Sequence, residues 1–301
     1  MGPLTRLLES RFAVLDGGLA TELEARGHDL RDSLWSARLL RDAPGAIEEV
    51  HAAYFEAGAD IAITASYHAT FAGFEDRGLD RTEAARLLRL SVELARRARD
   101  RATRGGLVAG SVGPYCVVWA DGTEYTGDYA RATDDEIAAT QRARMAELVA
   151  AGADLLAIET IPNGREAAIL ADLLTELPGV EAWISFCCRD GEHLSDGTPI
   201  AAAIRAAGRT ARVAAFGVNC TPPHHVAPLL EAARRATDLP LIAYPNHGRT
   251  WDGGSYSWSG AGVDRFAPEL VERWRKLGAR AVGGCCGIGP AAIAELARTA
   301  R

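Results

Sequence analysis

The chain has 301 residues, 33 basic against 40 acidic side chains for a formal charge of −7, and 48% hydrophobic residues. An acidic balance without a basic stripe argues against a nucleic-acid partner, and no stretch reaches the ~18 apolar residues of a membrane span. The N-terminus lacks the apolar run of a secretory signal. The expected compartment is therefore the cytoplasm, where six cysteines read as metal ligands, reactive thiols or core fillers and not as a disulfide framework.

In chain order, short apolar runs predict strands at 12–15, 61–64, 107–112, 155–159, 183–187, 214–218, 241–244 and 281–284. These runs are apolar throughout, as expected for parallel strands buried on both faces. Between them, helical patterns occupy 46–57, 82–101, 134–151, 164–175, 198–207, 223–236, 264–277 and 290–299. Two helices enter strands through the same turn, "EAGADI" and "AAGADL", and "KLGARA" varies it with glycine as helix C-cap.

Eight strands alternating with eight helices predict a single (β/α)₈ barrel domain over 1–301. The alternative is an open doubly wound sheet. Against it, "LDGGLATE" after the first strand has the wrong spacing for G-x-G-x-x-G, and no Walker A motif occurs. Two long loops, 113–129 and 245–260, leave the C-terminal ends of strands three and seven and are rich in Trp, Tyr, Gly and Asp, which predicts a lid or ligand wall.

Barrel chemistry sits just beyond the strand ends. There the sequence offers Asp16, Gly17, Thr64, Ser66, Gly113, Glu159, Thr160, Cys187, Cys188, Asn219, Cys220, Tyr244, Asn246, Cys285 and Cys286, with Cys116 in the first long loop. Clustered thiolates in a reducing compartment suit zinc, and three protein ligands with an open fourth position make a catalytic site. Cys220, Cys285 and Cys286 from strands six and eight form one such set, with a strand-five thiol as another donor. The glycines of "GGCCG" would let adjacent thiols reach one metal, whereas strand alternation should split Cys187 from Cys188 and favours core packing for that pair. Core thiols or a vicinal disulfide remain open for Cys285 and Cys286 on spacing alone. Lys276 is the only lysine, so Schiff-base chemistry has one candidate, and it lies mid-helix.

The motifs "LDGGLATELE", "LWSARLL", "AGADIAITASYHATF", "SVGPY", "DGTEYTGDY", "IETIP", "FGVNCT", "YPNHG" and "GGCCG", in that order along nearly the whole chain, resemble the zinc-dependent homocysteine S-methyltransferase family. The resemblance implies a (β/α)₈ barrel whose Zn²⁺ is held by Cys220, Cys285 and Cys286, and methyl transfer from S-methylmethionine or S-adenosylmethionine to homocysteine, giving methionine. It implies substrate contacts by Asp16, Gly17, Thr64 and Glu159. Asn219 is grouped with them, although fixing the loop that presents Cys220 fits it better.

A sulfonium donor is a cation that aromatic faces would line, and Trp35, Tyr67, Tyr115 and Trp119 are the candidates. Departures at Cys116, His68 and "NHGRTW" lie on the donor side. The chain ends just after the eighth helix, whereas the betaine branch carries a further C-terminal segment, so a sulfonium donor is expected. The partners expected are small molecules, with the protein a monomer or weak homo-oligomer. Competing readings are a non-catalytic zinc- or thiol-binding barrel that senses redox state, and the same chemistry on another thiol or selenol.

Overall fold

The structure, a computed structural model, describes residues 1–32, 34–252 and 257–300. Its strands are β1 (Ala13–Val14), β2 (Ile61–Ile63), β3 (Leu107–Val112), β4 (Leu155–Ile161), β5 (Ala182–Phe186), β6 (Val213–Asn219) and β7 (Leu241–Tyr244). An antiparallel hairpin of β8 (Thr250–Asp252) and β9 (Ser257–Ser259) follows, then β10 (Ala279–Val282). All strands but the hairpin form one parallel sheet in the order β1-β10-β7-β6-β5-β4-β3-β2. A parallel bridge between Leu15 and Ile61 joins its two ends, and Asp16 N donates to Ile61 O at 3.0 Å. The predicted (β/α)₈ barrel is the observed architecture.

Each strand buries both faces, which is why the runs lack alternation. Val14, Leu156, Ile158, Ile184, Phe216, Val218 and Val282 pack outward against the helices. Ala13, Leu15, Ile61, Ala109, Leu155, Ala157, Trp183, Ala215, Ile242, Tyr244 and Ala281 fill the interior. A helix over Pro3–Ser10, absent from the sequence prediction, closes the N-terminal end of the barrel by inserting Leu4 and Leu8 into that interior cluster. Burying each leucine stabilises by about 2 kcal/mol. Glu181 accepts from Gly2 N (2.7 Å), Leu4 N (3.1 Å) and Thr5 N (3.2 Å), so the helix's free N–H groups are satisfied across the barrel floor.

The eight predicted helices are present with ends moved by a few residues. Asp134–Ala150 starts at a capping box in which Thr133 Oγ1 accepts from Glu136 N and Glu136 returns a carboxylate oxygen to Thr133 N. The three small-residue turns behave alike: Gly58, Gly152 and Gly278 adopt φ of 102°, 84° and 101°, open to glycine without strain. No helix among the described residues is long and apolar enough to cross a membrane.

Candidate active site

The C-terminal ends of β6 and β10 bring three thiols together. Sγ of Cys286 lies 3.9 Å from Sγ of Cys220 and 4.0 Å from Sγ of Cys285, and all three ligand atoms fall within 4.8 Å of one another. Sulfurs at the corners of a tetrahedron around zinc, with bonds of ~2.3 Å, are ~3.8 Å apart. The trio therefore fits a soft divalent metal ion with little rearrangement. Without a metal, Cys286 is held well below the usual thiol range because Cys220 and then Cys285 donate to it. Cys220 is pushed up by its bonds to Cys285 and Cys286 and by burial.

Local geometry explains how adjacent cysteines reach one point. Cys220 follows β6 at a φ of 47°, a left-handed turn that swings its side chain toward β10. Of the glycines in "GGCCG", only Gly287 is left-handed (φ 81°), and a Cβ there would enter the His247 ring. Gly283 and Gly284 serve close approach instead: a Cβ on Gly283 would meet Asp16 O at 2.7 Å, and one on Gly284 would strike Ile288.

The other two strand-end thiols stay out of the trio. Cys188 joins the core, and buried Cys187 sits against Cys220 O with its pKa pushed up to about 12 by burial. Cys116, within the first long loop, is buried in a separate cluster with Tyr129, Ala132 and Ile137. Among the described residues there is no disulfide. Lys276 is exposed and paired with Glu272 on its own helix, so it takes no part.

The trio opens into a cavity with about 1230 Å³ of space between its walls, part of it continuous with solvent. Its floor is polar because the strand alternation that sends Leu155 and Ala157 inward sends Glu159 inward one layer higher. Glu159 accepts from Ser111 Oγ at 2.5 Å and from Tyr244 Oη at 3.1 Å. Burial lifts its pKa to about 7, against the pull of those two bonds and with a further push from Cys285. Asp16 accepts from Ile63 N at 2.8 Å, and its Oδ1 is buried without a partner. Burial raises its pKa well above the usual range, and the charge of Glu159 adds to this. Two carboxylates deprived of water create a demand for a cation.

Gly17 and Thr64 line the wall, Thr64 with its hydroxyl engaged by Ser66 and Ser111 N. Asn219 does not reach the cavity. It is fully buried, accepts from Thr160 N (2.8 Å) and Ser185 Oγ (2.8 Å), and donates to Thr160 Oγ1 (2.7 Å). Its grouping with the substrate contacts is corrected to a supporting one, in line with the loop-fixing role.

On the aromatic side the expectation divides. Trp35 and Tyr67 line the cavity with ring centroids 6.4 Å apart, and His68 packs edge-on to both. Burial holds His68 neutral, with a pKa of about 3. Tyr115 and Trp119 are not in the wall. The 113–129 loop winds into short turns at Tyr115–Val118 and Thr123–Tyr125, and these rotate both rings onto Tyr129 in a side cluster with Cys116 and Ile137. Trp119 is capped there by Arg131, 3.8 Å from its ring. Tyr125 and Glu124 of the same loop take the wall positions instead, although neither stands out in the sequence as a site residue. Ser111 is a further site residue, and strict two-residue alternation after Leu107 and Ala109 points to it. The other long loop forms the β8–β9 hairpin, and its tip at 253–256 lies outside the described residues.

Four non-glycine residues among those described have positive φ: Trp35, Ala120, Thr160 and Cys220. All four line this cavity. Such strain, about 1–3 kcal/mol per residue, collects at functional sites because the surrounding structure has to hold it.

Comparison with known proteins agrees with this geometry. Residues 13–300 match the family model described as homocysteine S-methyltransferase. The chain is 45% identical to a homocysteine S-methyltransferase of Bacillus subtilis, YbgG, over 100% of this chain and 98% of that one. It is 47% identical to the Escherichia coli homocysteine S-methyltransferase over 98% and 97% of the two chains. The crystal structure of the E. coli homocysteine methyltransferase MmuM in its metallated form superposes with a TM-score of 0.88 at 45% identity, covering 99% of each chain. With the fold, the thiol trio and the family model in agreement over the whole length, the chain belongs to the homocysteine S-methyltransferase family.

Proposed function

We propose that this protein transfers a methyl group from a sulfonium donor, S-methylmethionine or S-adenosylmethionine, to the sulfur of homocysteine, giving methionine, with zinc held by Cys220, Cys285 and Cys286. The observation that carries the reading is the three-thiol cluster facing a cavity that has buried carboxylates at one side and aromatic rings at the other. Zinc on three thiolates would keep the homocysteine sulfur as thiolate at neutral pH, so no protein side chain has to serve as general base.

The chain's own residues then bind and align. Glu159, supported by Asp16, takes the homocysteine ammonium, and that cation restores the ionised form which burial disfavours. Gly17 lines the acceptor side of the cavity, packed so closely that a side chain there would run into Ile288 O and Tyr54. Trp35 and Tyr67, with neutral His68 beside them in the same wall, present ring faces to the sulfonium and exclude water from it. The sulfonium carbon–sulfur bond breaks as the new one forms, and the donor departs as a neutral thioether that needs no proton. Holding both reactants in line supplies several kcal/mol of the barrier.

Family membership and a substrate-sized cavity beside the trio favour this enzyme over a non-catalytic thiol barrel. The test is methionine formation from homocysteine with each donor, using zinc-loaded and chelator-treated protein and side-by-side thiol and selenol acceptors. Turnover with at least one sulfonium donor, lost on chelation and restored by zinc, is expected. No turnover by a zinc-loaded sample with any donor overturns the reading.

A further inference from the structure

Both substrates of the proposed reaction are amino acids, so two ammonium groups enter one cavity. Glu159 and Asp16 answer for one of them, at the floor. Three further carboxylates line the upper wall: Asp32, Asp121 and Glu124. Asp32 is paired with Arg77 at 2.7 Å, and Asp121 is paired with Arg131. Glu124 has no ion pair among the described residues, and its carboxylate is met only by its own backbone N–H.

The segment that carries Glu124 is built to hold it still. Gly122 (φ 81°) starts the turn Thr123–Tyr125, and Asp121 Oδ1 accepts from Thr123 N (3.1 Å) and Thr123 Oγ1 (2.6 Å). Ser195 Oγ donates to Glu124 O at 3.1 Å, which ties the turn to the segment after β5. A Cβ on Gly127 would meet Asp196 N at 2.6 Å and Pro162 O at 2.7 Å, so this loop lies directly against the ends of β4 and β5.

The field of the carboxylate locates it. After burial, Glu124 is the largest influence raising the Tyr67 hydroxyl, and it also raises Cys116 and Cys187. Its charge therefore acts on Tyr67 from within the cavity that Trp35 and Tyr67 also line. Burial raises its own pKa, as for a carboxylate lacking a cation.

We infer that Glu124 binds the α-ammonium of the methyl donor and so restricts the donor to amino-acid sulfonium compounds. The inference rests on the methyltransferase reading above. A bound ammonium would complete the one unpaired carboxylate in the upper wall while Trp35 and Tyr67 cover the sulfonium. Glu124 thus becomes a specificity-determining residue of the donor half-site, as Glu159 is of the acceptor half-site.

The test compares wild type with Glu124→Gln and Glu124→Asp, zinc-loaded, using S-methylmethionine and a dimethylsulfonium carboxylate that lacks the amino group. For S-methylmethionine, Glu124→Gln should lose about 10- to 100-fold in donor kcat/KM, the worth of a charged hydrogen bond. The homocysteine KM and zinc content should be unchanged, and Glu124→Asp should recover part of the loss. With the des-amino donor, wild type and Glu124→Gln should be equal. Equal losses with both donors, or none with either, overturn the inference. Calorimetric titration of S-methylmethionine into zinc-loaded protein separates this result from the enzyme reading. Glu124-dependent binding in a wild type that turns nothing over would sink the activity and keep the ammonium site.

Discussion

Asn219 grips Thr160 at two points, accepting from its backbone N at 2.8 Å and donating to its Oγ1 at 2.7 Å, across the gap between β6 and β4. This pair holds Thr160 in a left-handed conformation (φ 58°) one residue after Glu159, and holds Asn219 one residue before the left-handed Cys220 (φ 47°). A single side chain thus couples the buried Glu159 carboxylate to a thiol of the three-cysteine cluster.

Asn219→Ala should therefore destabilise the metal-free protein by about 1–3 kcal/mol, since it leaves Thr160 N buried without an acceptor. Urea unfolding gives the number, and Thr160→Ala, which removes only the hydroxyl half, should show a smaller loss. A wild-type midpoint for Asn219→Ala would remove the pair from the account.

Metal content should divide the cysteines sharply. Cys220→Ser, Cys285→Ser and Cys286→Ser are expected to lose nearly all bound zinc, while Cys187→Ser, whose thiol lies outside the trio, keeps it. Elemental analysis of the purified variants decides it, and a Cys285→Ser protein with full zinc would refute the ligand set.

Glu159 predicts a pH dependence with a definite sign. Burial lifts its folded pKa to about 7, above the ordinary 4.5, so the folded state takes up a proton more readily than the unfolded chain. The associated stability is fully present below about pH 4.5 and is lost as pH rises through about 7, for a total of about 3 kcal/mol. Glu159→Gln, which cannot ionise, should gain on metal-free wild type as pH rises from 5 to 8. A gap between the two unfolding curves that is the same at every pH would contradict this. Homocysteine affinity should fall by an order of magnitude or more in the same variant, about 1.5–3 kcal/mol for a lost charged hydrogen bond.

The two tryptophans of the donor expectation should part company. Trp35→Leu removes a ring from the cavity wall and is expected to raise the donor KM by about 3- to 30-fold, the range of a cation–π contact of ~0.5–2 kcal/mol. Trp119→Leu disrupts the cluster with Tyr115, Tyr129 and Arg131 and should lower the melting temperature with a much smaller change in donor KM. Steady-state kinetics with the donor varied, alongside thermal melts, distinguishes the two.

Gly287→Ala should weaken the metal site without touching a ligand. The residue has a φ of 81°, and a Cβ there enters the His247 ring, so the turn that presents Cys285 and Cys286 has to shift. Competition with a chelator should show weaker zinc retention than in wild type. Gly45→Ala, where a Cβ meets nothing, serves as the silent control.

Much of this protein is written locally. The barrel was legible because each of its eight apolar runs and eight helices carries its own signal, and glycines such as Gly58, Gly152 and Gly278 mark where helix yields to strand. Residues at or just beyond the C-terminal end of a strand, such as Asp16, Thr64, Glu159 and Cys220, were legible for the same reason, since strand direction alone sends them to one end of the barrel. The closing helix Pro3–Ser10 was missed because eight residues without a partner are too short to announce themselves, and only the open barrel floor makes them a plug.

Distance between remote residues is where sequence stopped and tertiary structure decided. Five thiols share the same end of the barrel, yet strand register and two left-handed turns bring only Cys220, Cys285 and Cys286 to one point, across a separation of 66 residues between the first and last. In the 113–129 loop all the aromatic residues read alike as wall material. The coiling of its short turns sent Tyr115 and Trp119 to the side cluster around Tyr129 and Glu124 and Tyr125 to the cavity. Periodicity tells which face a residue occupies, because that follows from its own backbone. Which residues from different strands meet depends on how the sheet closes, a property no single segment contains.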